Sequence, residues 1–482
     1  MNRLPPEILM DIGDRILEEP HPEVPLLALT LTCRKFRSVF LGMMYKRINT
    51  ENFTLRFVKM IMKLWRDPVL AGKVRRLELS WTRESEDQFD LGDSRELRVF
   101  INHAVNKIFT PEENDDKYEW TRQLKRGHLR TEAWIGLLLV RATNVEIIEF
   151  VHECGEELMP DILRKAAKRE KPFHKSPPFP YLKEVKRYAQ EEYRLKSDFL
   201  TPLFYFPAVR KIYGSEIIEL KEEDGDRGPL GISQSSCPVE EIQIDDACWS
   251  QGMLDWLKIC TKLERLSIKF EEPEDYFDDS DDSGDSGDDS DDSDDDNECF
   301  DASAYRTALL PFRETLKTLR ISYGPRYISC LIRFNVNDPP FGTFQDFTAL
   351  ERLTVEHTHL CGRSFVLAQD NSRAKHLSRL LPKSLKTLEI RNIMEAPPLL
   401  SQLSELFDSG YFQNLEQLSL HTPFLPYLTW LTHGPVDNAL HPAFAPYITR
   451  AFNGEIHGLL KDLMYRCATR GVRLQFGTYR SS

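Results

Sequence analysis

The chain has 482 residues, 41% hydrophobic and 11% aromatic, which supplies a sizeable core and excludes a wholly disordered protein. At roughly 100–200 residues per domain, this length fits two to four domains or one elongated repeat array. The formal net charge of −13 is local: residues 271–298 carry 17 of the 76 acids and no Lys or Arg, leaving 59 acids against 63 bases, a net of +4, in the rest.

The first predicted element is a helix opening at Pro6, where a first turn accepts proline, with Glu7 complementing the dipole. Ile8, Ile12 and Ile16 recur every four residues, with Leu9 beside them, as an apolar stripe. Glu19-Pro20-His21-Pro22 breaks this helix. A second helical pattern begins near Pro25 and runs through Leu26, Leu29, Cys33, Phe36 and Phe40 at spacings of three and four. A short third piece covers Met43 to Ile48. So small a helical group buries its own apolar faces poorly, and it needs the rest of the chain or a partner.

From there a motif of the form aliphatic-x-x-aliphatic-x-aliphatic returns along the chain. Clear copies start at Val145, Val239, Leu263, Leu316, Leu350, Leu385 and Leu415, and weaker ones at Val74, Leu182 and Val209. The alternation closing each copy, such as Leu266-Ser267-Ile268, predicts a half-buried strand. The steps from 239 to 263, 316 to 350, 350 to 385 and 385 to 415 are 24, 34, 35 and 30 residues. The step of 53 between 263 and 316 contains the 28-residue acidic run, and 25 residues remain without it. Helical patterns fall between strands, at Met253–Leu257 and Leu399–Phe407. The end reads as a helix from Glu455 to Arg470, a Gly471 cap and a last strand from Val472 to Phe476. One strand and one helix per repeat predict an α/β solenoid, with parallel strands on a concave face and helices on a convex one.

The N-terminal residues Leu4-Pro5-Pro6-Glu7-Ile8-Leu9, Ile12, Ile16-Leu17, Leu26-Leu27-Ala28-Leu29, Cys33-Arg34-Lys35-Phe36 and Tyr45-Lys46-Arg47-Ile48 resemble an F-box. Thr32 and Tyr45 stand where that family prefers valine and tryptophan. The resemblance implies docking of residues 1–48 onto the Skp-type adaptor of an SCF-type cullin–RING ubiquitin ligase. Leu4, Pro5 and Ile8 would make the opening contact, and Ile12, Leu29, Cys33 and Phe36 the helical face. Residues 50–482 resemble the degenerate leucine-rich repeats of F-box proteins, since Thr358, Ile393 and Pro423 replace the asparagine that follows the strand in regular repeats. Strand residues facing away from the core would then meet a protein substrate, with Arg265, Lys269, Arg320, Arg352, Glu356, Glu389 and Arg391 as the charged candidates. Ser267, Thr318, Ser322, Thr354, Thr387, Gln417, Ser419 and His421 complete the same columns.

No enzyme signature survives its context. Gly284-Asp285-Ser286-Gly287 copies a serine-protease string inside an Asp/Ser tract, and the start of an EF-hand loop at Asp279 meets Ser290 rather than glutamate at its twelfth position. His152-Glu153-Cys154 lacks a second histidine, and the nine cysteines form no C-x-x-C pair. No catalytic residue, metal, cofactor, nucleic-acid partner or membrane span is expected. The start of the chain shows no apolar signal core, which predicts a cytoplasmic or nuclear location. The run 271–298 reads as a disordered, self-repelling insertion. Ser286 and Ser293, each with an aspartate three residues on, are candidate phosphorylation sites. An alternative function uses this run, as a ligase-independent scaffold capturing basic proteins such as histones, or folds it onto the basic stretch Arg164 to Lys175.

Overall fold

The computed structural model describes residues 4–19, 22–51, 53–81, 94–126, 131–152, 158–189, 195–218, 237–248, 251–271, 300–324, 340–361, 376–393, 396–422 and 455–477. The acidic run after Glu271, with Ser286 and Ser293, lies outside them, as do Glu153 and Cys154. Two compact units result: Met1–Glu216 with Leu220–Val239, and Ile217–Glu219 with Glu240–Ser482.

The first unit opens with three helices, α1 (Pro6–Leu17), α2 (Glu23–Thr32) and α3 (Arg34–Met43). The pattern expected as one helix from Pro25 to Phe40 is two. Cys33 adopts an extended conformation (φ −159°, ψ 165°), and its Sγ accepts a hydrogen bond from the Phe36 amide at 3.4 Å, so it caps α3. Leu9, Leu26, Phe36, Phe40 and Met43 form a small buried cluster, with Leu4, Ile16, Leu29 and Cys33 packed against it. Gly13 lets α1 approach closely, since a Cβ at that position would meet the Met43 Sδ and displace that side chain. The piece after Met43 is not helical: it turns into strand β1 (Arg47–Asn49).

A parallel sheet follows in the first unit. β2 (Arg76–Trp81) pairs with β1, β3 (Ile147–His152) with β2, β4 (Glu184–Ala189) with β3, and β6 (Lys211–Ile218) with β4, while β5 (Leu195–Lys196) pairs with β6. Ile48, Leu77, Ile148, Val185 and Ile212 share one register position and are all buried. Helix α4 (Leu55–Arg66) and three helices between β2 and β3 supply part of this core, as do Ile162, Leu163, Phe179, Phe199 and Phe204 further on. One of these, Glu132–Arg141, is the longest apolar run of the sequence and is buried on nearly every side. Its first residue, Glu132, accepts the Leu158 and Met159 amides at 2.9 and 2.7 Å, capping helix Met159–Lys168.

The second unit runs β7 (Glu241–Cys248), β8 (Arg265–Phe270), β9 (Thr318–Tyr323), β10 (Arg352–Glu356), β11 (Thr387–Arg391), β12 (Gln417–His421) and β13 (Arg473–Gly477), each parallel to the last. Every clear repeat motif of the sequence is a strand, as are the weaker copies at Val74, Leu182 and Val209. Helices Gln251–Ile259, Ala302–Leu309, Ala396–Asp408 and Glu455–Thr469 occupy the connections, and Gly471 (φ 71°) ends the last one. Leu266, Leu319, Leu353, Leu388 and Leu418 form one continuous buried column, and Ile268, Ile321, Val355, Ile390 and Leu420 a second. Among the described residues no helix is long and apolar enough to cross a membrane.

Leu388 is the middle of such a column and has no exposed surface. Leu388→Ala is expected to cost about 2–5 kcal/mol by urea denaturation, and Thr387→Ala, at the adjacent half-exposed position, less than about 0.5 kcal/mol.

Candidate functional site

Two surfaces stand out, one in each unit. In the N-terminal helices the choice of the inward face leaves an apolar remainder. Leu9, Gly13 and Ile16 of α1 face the cluster, so Ile8 and Ile12, one turn apart, are exposed with Met10. On α2, Leu26 points in, and Val24, Leu27 and Leu31, at spacings of three and four, are exposed. Thirteen large apolar side chains are exposed among the described residues, and six of them lie between Ile8 and Leu31. Exposed apolar side chains are thus concentrated in this short stretch, which makes it a candidate docking surface.

The residues expected to contact an adaptor therefore divide. Pro5, Ile8 and Ile12 are exposed. Phe36 is buried in the cluster, and Leu4, Leu29 and Cys33 are half-buried against it, so these four shape the face from beneath. Sequence reasoning missed Met10, Val24, Leu27 and Leu31 as surface residues. Their apolar character was visible, but helical spacing alone does not say which of two adjacent apolar stripes turns inward.

The second surface is the face of the sheet whose alternate side chains point away from the aliphatic columns. In the first unit this face is closed by an alternating ion ladder. Arg47 meets Glu78 through two hydrogen bonds (2.7 and 3.0 Å), Glu78 meets Arg76 (2.9 Å), Arg76 meets Glu149 (3.0 Å), Glu149 meets Lys186 (3.5 Å), and Lys186 meets Glu184 (2.9 Å). Its six charges cancel. The basic stretch from Arg164 is engaged in part: Lys165 is buried against Glu113 and the Phe109 ring, Arg164 pairs with Asp161, and Lys171 donates to the Asn106 and Phe109 carbonyls.

In the second unit the expected columns exist, with register Ser267–Arg320–Thr354–Glu389–Ser419 and, one step earlier, Arg265–Thr318–Arg352–Thr387–Gln417. Arg265 reaches Glu241 at 3.3 Å and Lys269 reaches Asp246 at 2.6 Å. Glu389 takes hydrogen bonds from Arg391 Nε (2.7 Å) and the Thr354 hydroxyl (3.2 Å), and His421 lies 3.4 Å away. Two expected contact residues are not on an accessible face. Glu356 is 1% exposed, its carboxylate accepting the Tyr323 amide (2.8 Å) and the Asn392 side chain (2.6 Å), and Arg391 is also buried. Both are the last residues of their strands, β10 and β11. The accessible members are Arg265, Lys269, Arg320, Arg352 and, partly, Glu389.

The family model of the leucine-rich repeat domain matches residues 55–419, which is most of the chain and includes the strands of both units from β2 to β12. The match begins after the three N-terminal helices. No curated protein matches the chain.

A polar cluster under the same strand ends was not anticipated. His359 is fully buried, its Nε2 2.8 Å from the Tyr323 hydroxyl and its Nδ1 accepting the Glu356 amide at 3.3 Å. Nearby in sequence, His357 is also buried. The only hint in the sequence was His357-Thr358-His359 immediately after a strand motif. Burial pushes His357 down to about 4 and His359 to about 3, from an ordinary 6.5. Both are neutral in the folded unit and take up protons when unfolded below pH 6.5, so stability is present above that pH and is lost as pH falls toward 4. The slope is about 1.4 kcal/mol per pH unit for each histidine. Thermal unfolding from pH 7.5 to 4.5 is expected to show this decline, and His359→Asn to flatten it by roughly half.

Proposed function

The chain belongs to the leucine-rich repeat domain family, and from that premise we propose that it is the non-catalytic substrate receptor of an SCF-type cullin–RING ubiquitin ligase. Repeat domains of this family bind proteins through a surface built from many short strands. The observation that supports the ligase half of the proposal is the concentration of exposed apolar side chains on α1 and α2, with Ile8 and Ile12 on one side of α1 and Val24, Leu27 and Leu31 on one side of α2, around the small buried cluster. An adaptor of the Skp type covers that face. The polar face of the second unit's sheet holds the target.

The work such a receptor does is positional. It brings a target lysine near a ubiquitin carrier held by the same assembly, raising effective concentration without acid–base chemistry of its own. The alternative scaffold reading needs the acidic run, which lies outside the described residues, and no observation on the described residues favours it.

A pull-down with purified Skp-type adaptor tests this. Wild type is expected to retain the adaptor. Ile8→Asp/Leu27→Asp, which alters only exposed positions, is expected to lose at least tenfold in affinity with an unchanged melting temperature. Leu9→Ala, inside the cluster, is expected instead to destabilise by about 2–5 kcal/mol. No adaptor bound to wild type overturns the proposal.

A further inference from the structure

Helix α4 carries four bases and no acid, the largest net charge of any described helix. Arg56, Lys59, Lys63 and Arg66 recur at spacings of three, four and three, and all four are exposed. Val58, Ile61 and Leu64, on the opposite side, are buried and hold the helix to the first unit. Successive members of the stripe repel, because like charges three or four residues apart on a helix are neighbours. Lys63 and Arg66 suit the last turn, but Arg56 stands in the first, where the helix dipole disfavours a cation. Helix stability therefore does not account for the stripe. Pairing does not account for it either. Among the described residues Arg56 and Lys59 make no ion pair and no side-chain hydrogen bond. Lys63 meets a neutral partner, donating to the Tyr45 hydroxyl at 3.3 Å with Nζ 5.5 Å from the ring centre. Arg66 meets Glu96 at 2.6 Å, and both are exposed, so this pair contributes little and a ligand carboxylate can replace it.

Beside the stripe lies a cleft of about 330 Å³, between α4 and the start of helix Arg95–Ile108. Leu55, Val58, Met62 and Leu97 give it an apolar lining, to which Lys59 and Arg66 add positive charge. Its size suits a small apolar group with charges around it. The neighbouring helix end is already capped, since the Ser94 hydroxyl accepts the Leu97 amide at 3.1 Å. The anion-binding groups here are therefore the cations of α4. A nucleic acid fits poorly, because its bases stack on aromatic rings and none of the residues lining the cleft is aromatic. A membrane surface takes up apolar side chains that project from a protein, whereas these line a recess. An acidic peptide satisfies both features, with carboxylates on the stripe and one aliphatic side chain in the cleft.

We infer that the outer face of α4 is a docking site for a short acidic segment of a partner protein, anchored by an aliphatic side chain among its carboxylates. From Arg56 to Arg66 the helix advances roughly 15 Å at about 1.5 Å per residue, the span of about five residues of extended chain. The site rests on neither the adaptor face nor the target face proposed above. The chain as a whole carries −13, so general charge attraction works against such a ligand and binding reports a local site.

The full chain is titrated by fluorescence anisotropy with labelled peptides in which one leucine stands among Asp and Glu. Matched peptides carry Asn and Gln in place of the acids, or serine in place of the leucine. A poly-uridine oligonucleotide and phosphatidylserine vesicles are run in parallel. The acidic leucine peptide is expected to bind at least tenfold more tightly than either matched peptide, and to weaken as salt is raised. Lys59→Gln/Lys63→Gln should reduce its affinity at least tenfold, and Arg56→Gln alone should reduce it by a smaller factor. Met62→Trp, which fills the cleft, should erase the advantage of leucine over serine and keep that of acids over amides. Lys168→Gln/Lys175→Gln, at exposed cations elsewhere in the same unit, should leave affinity unchanged. Melting temperature should be the same in the three charge variants, whose altered residues are all exposed. Equal binding of the three peptides overturns the inference, as does an equal loss in the two double-lysine variants. Binding of the oligonucleotide or the vesicles in place of the peptide overturns it as well.

Discussion

The geometry of both units depends on one repeated backbone arrangement at the start of each strand. The carbonyl just before a strand accepts two successive amides from the next strand. Glu264 O takes Lys317 and Thr318, Lys317 O takes Glu351 and Arg352, Glu351 O takes Lys386 and Thr387, and Lys386 O takes Glu416 and Gln417, all between 2.8 and 3.1 Å. The first unit repeats it at Lys46, Arg75, Glu146 and Lys183. A slip of one residue would exchange the two faces of a strand, so this shared carbonyl decides which side chains are core and which are surface. The aliphatic columns then follow, and so does every position at which a polar side chain meets solvent.

The same strand starts carry charges of alternating sign. Glu264 meets Lys317 at 2.8 Å and Glu351 meets Lys386 at 2.9 Å, with Lys386 holding the Glu351 carboxyl below its usual range. These exposed pairs add little to stability individually. Their contribution is to register, because like charges directly opposite would oppose the correct alignment. The ladder from Arg47 to Glu184 serves the first sheet similarly, with Glu78 and Glu149 nearly buried between their cationic partners.

Much of the fold was legible because the repeat motif couples a pattern of period two to a fixed spacing. The strands from Val145, Leu263, Leu350 and Leu385 are read directly from it, as are the closing helix and Gly471. What was not legible had a tertiary cause. Strand β1 has three residues and exists because β2 pairs with it, and the two-residue β5 exists because β6 pairs with it. The helices Arg95–Ile108 and Asn114–Arg126 fill a connection far longer than any repeat, and their placement follows from packing. In the candidate site the columns were anticipated correctly, but Glu356 and Arg391 were assigned to solvent because alternation says which face a residue takes and not what lies over it. The histidines beneath that end were silent for the same reason.

The N-terminal helices pose the remaining physical question, since five buried apolar side chains make a slight core. They are held to the first sheet without a flexible linker. Helix α3 ends at Met43, and by Arg47 the chain is already paired with β2. Arg47 binds Glu78 through both carboxylate oxygens, Ile48 enters the aliphatic column, and the Thr50 amide and hydroxyl both engage β2 carbonyls. Lys46 adds a contact back to Asp14 of α1 at 2.6 Å. A helical group attached in this way is tied to the sheet by its own backbone and side-chain contacts. In the proposed receptor, which would act by holding a target at a set position, this attachment matters more than the strength of any single contact, because the effective concentration gained by tethering is lost once the tether no longer fixes the geometry.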